Sequence, residues 1–147
     1  MVRNMNGKPL PRDGVEMMAM VSWLRFLADE DAAMGASRRR AHDPPVFKTP
    51  ERQANPQAGE QLFVKRCADC HGKDGAGLPA SPNFAQGYLF PPLWGPDSFT
   101  GASEMHGIPI AARFIKAKMP LGRPELDDDQ AFDLAAFLNS KPRPHLQ

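Results

Sequence analysis

The chain has 147 residues and a formal charge of +1, enough for one domain of ordinary size plus a remainder. That balance provides no net field for nucleic acid or an anionic surface. Sixteen prolines and twelve glycines predict a loop-rich fold with short helices, and no apolar run approaches membrane-spanning length.

The segment after Met1 is polar and contains Gly7 and Pro9, where a secretory leader would carry an apolar core. Residues 14–29 read as an amphipathic helix. Asp13 and Glu16 form a capping-box pattern, and Met17, Met20, Val21, Leu24 and Leu27 recur at helical spacing, as a core face does. From about residue 31 to 54 the pattern dissolves into Gly35, the run Arg38-Arg39-Arg40, Pro44-Pro45 and Pro50. This reads as a Pro-rich linker, with the arginines as a solvated face. Asn55-Pro56 then marks a helix start, an N-cap followed by proline in the first turn, and the helix runs through Gly59, Leu62 and Phe63. Residues 72–103 are mostly loop. A helix is expected at about 107–118, with Ile110, Ala111, Phe114 and Ile115 on one side. A final helix is expected from Asp127, with Gln130 completing another capping box, to about Ser140. No stretch alternates like a half-buried strand, so the fold class is all-α.

The two cysteines of the chain both fall in Cys67-Ala68-Asp69-Cys70-His71. Two thiols separated by two residues can add to the two vinyl groups of one porphyrin, and the adjacent histidine can then ligate its iron. A dithiol redox pair would want a βαβ setting, and half a zinc site would want a second ligand pair. The other histidines, His42, His106 and His145, stand apart from one another. The motif therefore predicts one covalent haem c, with His71 as an axial ligand.

The second axial ligand sets the chemistry. Met119 leads the candidates, at the end of the 107–118 helix and before Pro120-Leu121-Gly122. Lys118 beside it offers an amine. Amine suits oxidised, harder iron and thioether suits reduced, softer iron, so a redox-linked exchange between Lys118 and Met119 is chemically reasonable. Met105, His106 and His145 rank lower. On the other side of the ring, the free N–H of His71 needs an acceptor. The choice is Pro91 in Phe90-Pro91-Pro92-Leu93-Trp94-Gly95, although spacing alone would equally describe a Pro-rich turn.

Gly59 with Phe63 before the motif, Pro91-x-Leu93-x-Gly95 after it and Met119-Pro120 later together resemble a class I cytochrome c domain over about residues 55–141. That resemblance implies three main helices around one haem, with the N- and C-terminal helices of the domain crossing. A closer resemblance rests on Pro91 to Phe99, Ala112 to Pro120, Asp133 to Leu138 and the ending Pro142-Arg143-Pro144. These segments are similar to the second haem domain of the thiosulfate dehydrogenase family, dihaem periplasmic enzymes that couple two thiosulfates into tetrathionate. In that family the second haem has His and Met ligands, with the neighbouring Lys sometimes involved. The segment Arg3 to Leu10 and the helix after it resemble the end of the family's first haem domain. The family's first C-x-x-C-H and the cysteine thiolate of its catalytic haem have no counterpart here.

The resemblance thus implies residues 1–30 as a remnant of a preceding haem domain, 31–54 as linker and 55–147 as a cytochrome c domain, with no catalytic residue in this chain. The expected function is electron exit from a thiosulfate dehydrogenase, in the periplasm for the full-length protein, toward an unidentified redox partner protein. A stand-alone monohaem electron carrier and a haem-based sensor module are the alternatives. No nucleic-acid partner and no membrane span are expected.

Overall fold

In the computed structural model, residues 9–40, 46–82 and 87–144 are described, with the backbone alone for 31–40. His42 and His145, and the segment from Arg3 to Lys8, lie outside the described residues. The chain divides into two units, Lys8–Pro45 and a second built on Val46–Gln147.

The first unit is one helix, α1 (Val15–Arg40). The Gly14 carbonyl accepts the Met18 N–H at 3.0 Å, so Gly14 rather than Asp13 occupies the N-cap. The helix also continues well past residue 29, into the stretch read as linker. Ala32, Ala33, Met34, Ala36 and three arginines are good helix formers, and they outweigh the single Gly35. Met17 and Met20 are half-buried, whereas Val21, Trp23, Leu24, Phe26 and Leu27 are exposed. Trp23 and Phe26 stack on each other with ring centroids 5.4 Å apart. The expected core face of this helix is thus largely uncovered. Among the described residues, no helix is long and apolar enough to cross a membrane.

The second unit is built on three main helices, α2 (Pro56–Arg66), α4 (Ile108–Lys118) and α5 (Asp128–Asn139), with the single turn α3 (Ala68–His71) directly after α2. Side-chain caps set the starts of α2 and α5. Asn55 accepts the N–H groups of Gln57 and Ala58 at 3.1 Å, ahead of Pro56. Asp127 and Gln130 exchange both bonds of a capping box at the start of α5. The long loop between α3 and α4 contains one small departure from an all-helical plan. Strands β1 (Leu78–Pro79) and β2 (Tyr88–Phe90) pair antiparallel with an irregular register. They are too short for hydrophobic alternation to reveal.

The core lies where α5 crosses α2. Phe63, Leu134, Ala135 and Phe137 are buried there, and Ala111, Ala112 and Ile115 of α4 pack from the other side. At the crossing, a Cβ built on Gly59 would sit 2.1 Å from the Asp133 carbonyl oxygen and 2.9 Å from the Phe137 Cβ. Only glycine permits this approach. Asp133 is itself buried, and its carboxylate accepts Arg52 Nη1 at 2.8 Å, Arg52 Nη2 at 3.0 Å and the Asn55 N–H at 2.7 Å. Three donors, two of them on one guanidinium, offset the desolvation of that charge.

Gly59→Ala gains about 1 kcal/mol of helix propensity but collides with backbone that cannot swing aside, at a cost of roughly 1–3 kcal/mol or more. The expected net result is a Tm lowered by several degrees in thermal denaturation. Gly101→Ala, which meets nothing within 4 Å, should leave the Tm unchanged.

Candidate functional site

The haem-motif residues follow α2 without a break. The Cys67 N–H closes α2 on the Phe63 carbonyl at 2.9 Å, and the Cys67 carbonyl then accepts Cys70 N–H at 3.2 Å and His71 N–H at 2.9 Å. This tight turn carries both thiols and the imidazole within one helical revolution. Both cysteines are free, Cys67 half-buried and Cys70 exposed. Burial pushes the Cys67 thiol up to about 11, with the neighbouring Cys70 adding to the shift. Among the described residues, no cluster of three or more His, Cys, Asp or Glu could hold a bare metal ion.

His71 is buried, and its Nδ1 lies 2.8 Å from the Pro91 carbonyl oxygen. With Nδ1 as the donor, Nε2 keeps a lone pair that could bind a metal. Pro91 reaches this position through glycine. Gly77 has φ +79°, and a Cβ there would stand 2.5 Å from the Phe90 carbonyl oxygen and 2.8 Å from the Pro91 carbonyl carbon. The Gly77 N–H donates to the His71 carbonyl at 2.9 Å, and the Leu93 N–H to the Gly75 carbonyl at 2.8 Å. The loop after His71 and the Pro91 segment are therefore laced together edge to edge.

Behind this layer, Trp94 packs against Phe63 at 5.0 Å and Phe137 at 5.8 Å between centroids. Trp94 ties the Pro-rich segment to the helix crossing. Arg143 supplies a second tie. Its Nη1 donates to the Leu93 carbonyl, and its Nη2 to the Leu138 carbonyl at 2.9 Å and to Asn139 Oδ1 at 3.3 Å. The guanidinium also stacks on Phe99 at 3.7 Å, and burial pulls its pKa down to about 10. Neither role is visible in the sequence. The only signal is a lone arginine between Pro142 and Pro144, in a tail that cannot continue the helix.

Met119 caps the C-terminal end of α4, its N–H donating to the Ile115 carbonyl at 2.8 Å. It is half-buried and packs against the same apolar cluster as Cys67, Leu93 and Met105, whereas Lys118 is exposed. Downstream, Leu126 is buried, and Glu125 pairs with Arg66 at 2.6 Å and Arg123 at 3.0 Å, which holds the loop after Met119 to the end of α2. His106 is exposed in a short 3-10 turn, and the Met105 carbonyl accepts from Asn139 Nδ2 at 3.2 Å. The donor set of this unit suits a covalent haem: two free thiols and a buried imidazole oriented through its far nitrogen.

The profile of the cytochrome c family matches residues 56–141, from the start of α2 to the end of α5. The chain belongs to the cytochrome c family. Membership implies a covalent haem c, electron transfer and a redox partner. The chain is 41% identical over 150 residues to a thiosulfate dehydrogenase of Allochromatium vinosum, an alignment covering 99% of this chain and 52% of that protein. It is 38% identical to a thiosulfate dehydrogenase of Stutzerimonas stutzeri, over 96% of this chain and 44% of the relative. Among solved structures, the thiosulfate dehydrogenase of Marichromatium purpuratum superposes with a TM-score of 0.60 at 37% identity, covering 66% of this chain and 20% of that one. The cytochrome is thus homologous to thiosulfate dehydrogenases over most of its length and spans about half the length of the curated relatives it matches.

Gly77→Ala tests the lacing beside His71. A positive φ costs about 1–2 kcal/mol with a Cβ, and the collision with the Phe90–Pro92 backbone adds to it. The expected outcome is a larger loss of Tm than Gly101→Ala produces, together with a changed visible absorption band of the haem protein.

Proposed function

We propose that this cytochrome is the electron-exit haem domain of a thiosulfate dehydrogenase, with haem c bound through Cys67 and Cys70 and ligated by His71 and Met119. The observation that carries the reading is the extent of the 41% identity. It runs through the residues before 56 as well as the cytochrome c domain, yet takes in only 52% of the relative. Residues 1–30 then belong to the end of a preceding haem domain, 31–54 connect it, and 55–147 form the relay. The exposed apolar residues of α1, Val21, Trp23, Leu24, Phe26 and Leu27, agree with a helix whose packing surface is supplied elsewhere.

Bound at this site, the haem supplies a one-electron ferric–ferrous couple. The residues around it have separable tasks. His71 presents Nε2, fixed in orientation by its bond to the Pro91 carbonyl. Met119 offers a thioether, which favours the reduced state. Lys118, exposed one residue away, can compete for the oxidised state once its amine loses a proton. Joining two thiosulfates into tetrathionate releases two electrons, and a relay of this kind passes them singly to an acceptor protein in the periplasm. No residue of this chain is assigned to thiosulfate itself.

Three measurements test the reading. Produced with an export leader and haem-attachment machinery, the chain should carry one haem, and Cys67→Ser with Cys70→Ser should carry none. Met119→Ala should lose the thioether-to-iron charge-transfer band that Lys118→Ala retains, and a band indifferent to Met119 removes that ligand from the assignment. The isolated chain should form no tetrathionate from thiosulfate with an electron-accepting dye. Tetrathionate formation by this chain alone would overturn the division of labour.

A further inference from the structure

The Pro91 segment has little means of holding itself in place. Pro91 and Pro92 have no backbone N–H to donate. Between Phe90 and Gly95, the Leu93 N–H goes to the Gly75 carbonyl, on the haem-motif side, and the Gly95 N–H goes to the Pro142 carbonyl at 3.1 Å, on the C-terminal side. Arg143 joins that second side, its guanidinium bridging the Leu93 carbonyl to the Leu138 carbonyl and the Asn139 side chain at the end of α5. Leu93 lies two residues from Pro91, whose carbonyl accepts the His71 Nδ1 proton. Hydrogen bonds at Leu93 and at Pro91, with two residues of main chain between them, thus join the end of the last helix to the proposed axial histidine.

We propose that Arg143 is a positioning residue for His71, holding the Pro91 carbonyl against Nδ1 and thereby setting the donor strength of the imidazole toward the haem. The proposal rests on the haem-ligand reading above. A packing role alone is a poor account of this side chain. Arg143 Nε is buried and has no hydrogen-bond partner among the described residues, a cost that an apolar side chain lying on Phe99 would avoid. What an apolar residue cannot do is reach the carbonyls of Leu93 and Leu138 at once. The fixed fork of a guanidinium can, and a lysine ammonium at the same place lacks that geometry.

The direction of the effect follows from the chemistry. A strong bond from Nδ1–H to a carbonyl gives the imidazole more anionic character, which favours ferric iron. Loosening the segment weakens that bond, so the midpoint potential should rise and the Nδ1 proton should exchange faster with solvent. The test uses the haem-loaded chain and its Arg143→Met and Arg143→Lys variants. Haem content and the thioether band of the parent are checked first: a parent without haem ends the ligand reading and this proposal with it, whereas a parent with haem but no thioether band ends only the assignment of Met119. Arg143→Met should keep both, with a higher midpoint potential and a His71 Nδ1–H exchange rate raised roughly tenfold by NMR. Arg143→Lys should shift both in the same direction by less. An Arg143→Met protein of lower Tm with unchanged potential and exchange makes Arg143 a packing residue and ends the proposal. If Arg143→Met does not fold, parental values of both quantities in Arg143→Lys end it equally.

Discussion

Everything in the second unit depends on two helix backbones meeting where a side chain is missing. Because Gly59 has no Cβ, the carbonyl of Asp133 can press directly on α2. One turn later Phe63 is in the core against Trp94 and Phe137, and one turn after that the chain reaches Cys67. A different crossing would rotate the haem-motif turn away from the Pro-rich segment. Asp133 has a double part in this contact. Its main chain is the surface α2 leans on, and its buried carboxylate gathers Arg52 and the start of α2. That carboxylate must keep its partners, since an unpaired buried charge costs several kcal/mol.

Opposite the crossing, the wall beside His71 is made from residues poor in hydrogen-bond donors. The strands β1 and β2 are minimal, and the prolines donate nothing, so the wall borrows its order from neighbours: glycines on one side, Trp94 and Arg143 on the other. A carbonyl aimed at an imidazole needs this kind of support.

The helix starts at Asn55 and Asp127 were legible because capping is local chemistry, decided within four residues. The cysteine pattern was legible for the same reason: spacing and residue type carry its meaning. The length of α1 was misjudged, since Gly35 and the arginine run looked like a linker while alanine and arginine propensity favoured helix through Arg40. The apolar stripe of α1 reads as a core face, yet Val21, Leu24 and Leu27 are exposed, because periodicity does not say whether anything covers it. Around His71, what spacing could not reach was long-range. The approach of the Pro91 carbonyl depends on Gly77 having room for it, and the anchoring of Leu93 depends on an arginine 50 residues away. Neither relation leaves a trace in local pattern.

The bonds from Arg52 to Asp133 and from His71 to Pro91 close loops of very different size, with sequence separations of 81 and 20 residues. Loop-closure entropy grows as (3/2)RT ln n, so the larger closure costs about 1.2 kcal/mol more. Contacts of long separation also form slowly. The motif turn and its Pro-rich wall can therefore gather first, while α5 is still distant and the two thiols remain open to attachment machinery. The helix crossing, closed by the longer loop, should form later. In this arrangement the order of assembly is written into the spacing of the partners.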